Sequence, residues 1–117
     1  MADCYIIDAA RTPRGVGKPG KGALSHFHSG RLLAKVFEAI GERNNLKSED
    51  IDDIVIGCST QVGNQSNDVG RMAALDAGWS EHASGVTLDR FCGSGITSAN
   101  IAAANIMAGM DLSLIHI

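Results

Sequence analysis

Apolar positions along the chain follow two different periods. Leu32, Leu33, Val36, Phe37 and Ile40 recur at helical spacing, which predicts a helix ending near Gly41. Ile51 to Gly57 contains Ile54-Val55-Ile56, β-branched and free of charge, and suits a strand covered on both faces. Cys4 to Asp8 is a shorter apolar run closed by Ala9-Ala10-Arg11-Thr12-Pro13. It reads as a first strand, because proline holds the residue before it in extended conformations. Gly85 to Leu88 is a further brief strand. Between these runs lie a Gly- and Lys-rich loop from Arg14 to Gly22 and a polar loop from Gln61 to Asn67. Asn67 or Asp68 is placed to cap a second helix through Ala77, with Gly78 at its C-terminal end.

The last helix differs in kind. From Phe91 to Met110 there is no charged residue, yet Gly, Ser, Thr and Asn interrupt the run too often for a membrane span. Ala99, Ala102, Ala103, Ala104 and Gly109 are spread around the helix, so no face is turned to water and cover is needed on every side. Strand and helix alternate throughout, which predicts an α/β fold with a mainly parallel sheet. One small sheet cannot surround such a helix. The expectation is therefore an incomplete domain that lacks a further layer.

Composition narrows the function. Over 117 residues the chain is 44% hydrophobic and 20% charged, a globular balance, and its formal charge of -3 with dispersed Lys and Arg provides no track for a nucleic acid. Cys4, Cys58 and Cys92 lack a CxxC spacing and are odd in number, which points to a reducing compartment and a cytoplasmic location. No export signal is read at the amino terminus. Gly15-Val16-Gly17-Lys18-Pro19-Gly20 fits GxGxxG and offers a dinucleotide-binding alternative, but Pro19, Gly20 and Gly22 prolong the loop where a helix should open. His26 and His28 lack a third ligand nearby, so no metal is assigned.

Cys92 is the residue with chemistry to offer. Asp89-Arg90-Phe91-Cys92-Gly93-Ser94-Gly95 lies between a strand and a helix, where unpaired amides and the helix dipole favour an anion such as a thiolate. Gly93 and Gly95 leave space above the sulfur, and the Cys92 N–H is a candidate oxyanion donor. The competing reading makes Cys92 a small buried hydrophobe, and placement alone does not separate the two.

Longer segments do. Tyr5-Ile6-Ile7-Asp8-Ala9-Ala10-Arg11-Thr12-Pro13 resembles the opening of thiolases, and Leu88-Asp89-Arg90-Phe91-Cys92-Gly93-Ser94-Gly95 resembles their nucleophile segment. Gly57-Cys58-Ser59-Thr60-Gln61-Val62-Gly63-Asn64-Gln65 and Gly70-Arg71-Met72-Ala73-Ala74-Leu75 follow the family order between them. Asp89 stands where many members have Asn, and Phe91 where an aliphatic residue is commoner. The resemblance implies a layered αβαβα fold of which residues 1–111 are part of the amino-terminal domain.

It also implies a chemistry. Cys92 would accept an acyl group from a CoA thioester and pass it to CoA or to the α-carbon of acetyl-CoA, in a homo-oligomer and without a permanently bound cofactor. The family's activating histidine, second acid/base cysteine and CoA-holding loop domain have no counterpart in this chain, so the chain alone is expected to be inactive. Cys58 is expected to pack rather than react, and Cys4 to lie in the core. A non-catalytic assembly fragment, or a truncated product without function, is the alternative.

Leu112-Ser113-Leu114-Ile115-His116-Ile117 breaks the family pattern. It is the translation of CTGTCTCTTATACACATC, a transposon end used in preparing sequencing libraries. Residues 112–117 are accordingly expected to be a non-native tail rather than a native strand.

Overall fold

The computed structural model describes residues 1–116. Three parallel strands form the sheet: β1 (Asp53–Gly57), β2 (Val86–Leu88) and β3 (Leu114–His116), in the order β2-β1-β3. The register pairs Gly57 with Leu88 on one side of β1 and Ile54 with Ile115 on the other. Helices α1 (Ser29–Asn44) and α2 (Val69–Asp76) cover one face and α3 (Ser94–Ala108) the other.

The two faces of β1 explain this arrangement. Strand alternation sends Ile54 and Ile56 toward one side, where they join Phe37, Ala34, Ala73 and Ala74 in the main core. Phe37 is fully buried and its ring stacks on Trp79 at a centroid distance of 4.9 Å. Burial of a side chain this size stabilises by roughly 1.5–3 kcal/mol. Val55 and Gly57 face the opposite way, toward α3, whose buried residues Ser94, Ser98 and Ala102 lie on one helical stripe.

The predicted helices form. Asp68 caps α2 by accepting the Arg71 N–H at 3.2 Å, and its same carboxylate oxygen accepts the Thr87 hydroxyl at 2.8 Å, tying α2 to β2. His28 caps α1, its Nδ1 accepting the Gly30 N–H at 3.1 Å. Gly109, in the left-handed region at φ 72°, ends α3.

The first strand predicted at Cys4 to Asp8 does not form. Apolar β-branched residues supply propensity, but a strand exists only where the segment meets an edge and pairs with it. Both edges of β1 are taken, by β2 and β3, and residues 4–8 do not pair with the outer edge of either. The segment instead runs past the end of α1, where Asp8 accepts from Arg43 Nη2 at 2.6 Å and Asn44 Nδ2 at 2.6 Å. Tyr5, Ile6 and Ile7 are 73–82% exposed, and Cys4 is half-buried outside the core. Cys4 was expected inside because a strand was expected there.

Part of the segment read as a non-native tail pairs with the sheet. Leu114–His116 lies parallel to β1, and Asp52 supports the approach by accepting the Leu112 and Ser113 N–H groups at 2.7 and 3.0 Å. Ile115 is buried in the main core. These contacts describe what residues 112–116 do beside the sheet and are separate from where their coding DNA came from. Ile117, the last residue of that segment, lies outside the described residues.

Candidate active site

The segment between β2 and α3 is a closed turn with Cys92 at its apex. Asp89 Oδ1 accepts the Phe91 N–H at 2.7 Å, an Asx turn that bends the chain directly after the strand. The Gly93 N–H returns to the Arg90 carbonyl at 2.9 Å, and the Ser94 N–H to the Phe91 carbonyl at 3.1 Å. Between these bonds Phe91 is forced to φ 47°, a left-handed conformation that costs a bulky residue roughly 1–2 kcal/mol.

The turn is seated on β1. A side chain at Gly57 would place its Cβ 2.4 Å from the Ser94 carbonyl carbon and 2.6 Å from the Gly95 nitrogen. Only glycine allows the first turn of α3 to approach the strand this closely. Gly95 has nothing near its missing side chain, in keeping with an open space at the helix start, whereas a Cβ at Gly93 would touch the Arg90 carbonyl oxygen at 3.4 Å.

Cys92 is exposed, and among the described residues neither its thiol nor its N–H has a hydrogen-bond partner. Gly93 is the N-cap of α3 and brings no side-chain acceptor to the first amides of the helix. The sulfur therefore stands beyond the carboxyl end of a parallel strand and before a helix start, the place where open α/β sheets bind their ligands. Among the described residues nothing buries Cys92. A thiol so placed can attack a carbonyl carbon, while donors beside it receive the charge that develops on oxygen.

The other candidates are placed elsewhere or otherwise occupied. Cys58 follows β1 at the same edge of the sheet, but it packs against the core and its thiol donates to Gln65 Oε1 at 3.6 Å. His26 lies against the Phe27 ring, His28 caps α1, and the His82 N–H donates to Ser80 Oγ. Among the described residues no group of three or more His, Cys, Asp or Glu could hold a metal. The GxGxxG segment opens no helix, since α1 begins only at Ser29, so the phosphate-binding geometry of the dinucleotide alternative is not built. A concavity beside Arg11 and Arg43 and another within the 15–25 loop both lie apart from Cys92.

Two residues of the site carry more than the sequence reading gave them. Ser94 and Gly57 shape the turn, and the only sequence signals were a hydroxyl two residues after the cysteine and a glycine ending a strand.

The profile of the thiolase amino-terminal domain matches residues 4–115. The chain belongs to the thiolase family. It is 41% identical over 110 residues to the 3-oxoadipyl-CoA/3-oxo-5,6-dehydrosuberyl-CoA thiolase of Escherichia coli, covering 93% of this chain and 27% of that protein. It is 38% identical over 109 residues to the steroid 3-ketoacyl-CoA thiolase FadA6 of Mycobacterium tuberculosis, covering 93% of this chain and 26% of the relative. Among solved structures, the acetyl-CoA acetyltransferase of Bacillus anthracis superposes with a TM-score of 0.69 at 27% identity, over 77% of this chain and 23% of the other. The chain thus spans about a quarter of the length of these thiolases. The fold is that of part of the thiolase amino-terminal domain, and among the described residues no helix is long and apolar enough to cross a membrane.

Proposed function

We propose that this chain supplies the nucleophile of an acyl-CoA acyltransferase, and that Cys92 carries the acyl group. The observation that carries the reading is the exposed Cys92 thiol beside its own partnerless N–H, at the apex of a turn fixed on both sides. Cys92 Sγ attacks the carbonyl carbon of an acyl-CoA thioester. The new carbon–sulfur bond replaces the bond to CoA, which leaves as the thiol with the proton that Cys92 gave up. The Cys92 N–H donates to the oxyanion of the tetrahedral intermediate. The acyl group then moves to CoA, or to the α-carbon of acetyl-CoA to form a 3-oxoacyl-CoA.

The substrate class is CoA thioesters of acyl and 3-oxoacyl groups, in keeping with the names of the similar thiolases. CoA is a substrate here and is not held permanently. The complete enzyme acts as a homo-oligomer in the cytoplasm, a placement supported by three free thiols. The base that activates the sulfur and the acid/base that serves the α-carbon come from parts of the enzyme beyond this chain.

Mass spectrometry after incubation with acetyl-CoA tests the reading. In the complete enzyme an acetyl adduct is expected on Cys92, in excess over Cys4 and Cys58, and none at position 92 in Cys92→Ser. In the complete enzyme, Cys92→Ser is expected to abolish acyl transfer, since a hydroxyl is a far weaker nucleophile than a thiolate. Label spread evenly over the three cysteines, or unchanged turnover in Cys92→Ser, would end the hypothesis.

A further inference from the structure

We propose that Ser94 is a positioning residue that aims the Cys92 N–H, an inference that rests on the acyl-transfer reading above. Ser94 is 4% exposed, and its hydroxyl is fully engaged within the turn. It accepts the Arg90 N–H at 2.8 Å and donates to the Phe91 carbonyl at 2.7 Å. A serine capping a helix bonds forward, to amides two or three residues ahead. Ser94 bonds backward, and the N-cap position belongs to Gly93.

The consequence follows from the planarity of the peptide unit. The Phe91 carbonyl receives both the hydroxyl and the N–H of Ser94, which holds it toward the start of α3. In a trans peptide the N–H of the next residue points the opposite way, and no bond among the described residues is cis. Anchoring the Phe91 oxygen therefore turns the Cys92 N–H away from the helix, and that N–H has no partner among the described residues. The same two hydroxyl bonds offset the left-handed conformation of Phe91. Without them the Phe91 oxygen keeps only the Ser94 N–H, and the peptide that carries the oxyanion donor is held less firmly in its orientation.

The test separates a reaction that needs an oxyanion donor from one that does not. Acetylation of Cys92 by acetyl-CoA passes through a tetrahedral oxyanion, whereas alkylation by iodoacetamide is a direct displacement at carbon. Both rates are measured at Cys92 by mass spectrometry in the complete enzyme, as wild type, Ser94→Ala and Ser98→Ala, with Cys58 alkylation as the monitor of folding. Ser98 is an equally buried α3 hydroxyl one turn further on, donating to the Gly95 carbonyl at 2.8 Å.

Ser94→Ala is expected to lower acetylation by roughly tenfold to a hundredfold while alkylation stays within about threefold, a misaimed donor costing less than the roughly hundredfold to thousandfold of a removed one. Ser98→Ala should keep the wild-type ratio. Equal ratios in wild type and Ser94→Ala would overturn the positioning role, as would an equal selective loss in Ser98→Ala. A rise of Cys58 alkylation to the rate of an unfolded thiol in Ser94→Ala would also overturn it and leave Ser94 a purely structural residue. No acetylation of wild-type Cys92 would overturn the acyl-transfer reading itself, and this inference with it.

Discussion

Gly57→Ala is the substitution that most directly tests how the fold positions Cys92. The added Cβ would lie 2.4 Å from the Ser94 carbonyl carbon, 2.5 Å from its oxygen and 2.6 Å from the Gly95 nitrogen. Carbon atoms in contact sit about 3.5 Å apart, so the shortfall is about 1 Å. All three neighbours are backbone, which leaves no flexible side chain to swing aside. Either β1 must deform, with Val55 and Ile56 buried next to it, or the first turn of α3 must lift. The strand is held in register on both edges, so the helix start is the part that moves.

Lifting that turn carries Cys92 with it. Overpacking of this kind costs about 1–3 kcal/mol, and a displacement near 1 Å at a reacting group is enough to lower its rate about a hundredfold. Denaturant unfolding should register the first effect, and acetylation of Cys92 by acetyl-CoA the second, with Cys58 alkylation as the folding monitor. The expected result is a large loss of acetylation beside a modest loss of stability. Unchanged stability together with unchanged acetylation would show that α3 does not rest on Gly57, and the seating of the turn would have to be abandoned.

Further outcomes can be checked on the same chain. Ile96 on α3 is 71% exposed beside Phe91 at 80%, so the isolated chain should self-associate, and Ile96→Lys should raise the monomer fraction in size-exclusion chromatography. The same chain should show no thiolysis of acetoacetyl-CoA, and measurable turnover would refute the expectation that its catalytic partners lie elsewhere. The Asp8 carboxyl is held below its ordinary range by the Asn44 hydrogen bond first, then by the Ala9 N–H and the Arg43 charge. A lowered carboxylate contributes at pH above its ordinary value and loses that contribution as pH falls through the lowered one, so the protection of the Ala9 N–H, taken as the intrinsic rate over its exchange rate at the same pH, should fall on acidification and already be low in Asp8→Asn. For the tail, we propose that the source DNA, read by a method without transposon adapters, will not encode Leu112 to Ile117. A contiguous native read ending in those codons would refute it.

Elements whose order is local were legible in the sequence. The first two helices announced themselves by period and cap, the stripe of Leu33, Phe37 and Ile40 for α1 and Asp68 for α2, whereas α3 was read through Met110 and in fact stops at Ala108, before Gly109. The run Ile54-Val55-Ile56 gave β1 because a strand buried on both faces needs no alternation to be recognised. The edge strands were a different matter, since Tyr5-Ile6-Ile7 and Leu114-Ile115-His116 carry similar propensity and differ in which one finds an edge of β1. Propensity in a short apolar run does not name a partner. The cysteine was legible because its type and setting are rare, whereas the bonds of Ser94 depend on a turn geometry that no spacing rule encodes.

The exposed residues of α3 join the fold to the function. Ser94, Ser98 and Ala102 face the sheet, while Ile96, Ile101 and Met107 remain at least partly in water. Roughly 1.5–3 kcal/mol is forgone for each large apolar side chain left uncovered, which is a sizeable share of the about 5–15 kcal/mol that stabilises a domain. A second layer over α3 would recover that energy, and α3 is the helix that begins just after Cys92, the proposed nucleophile. Stability and reactivity therefore converge on the same surface. Ile96 lies four residues beyond Cys92, so whatever covers the helix also approaches the sulfur, and it can bring there the base that the described residues do not place beside Cys92.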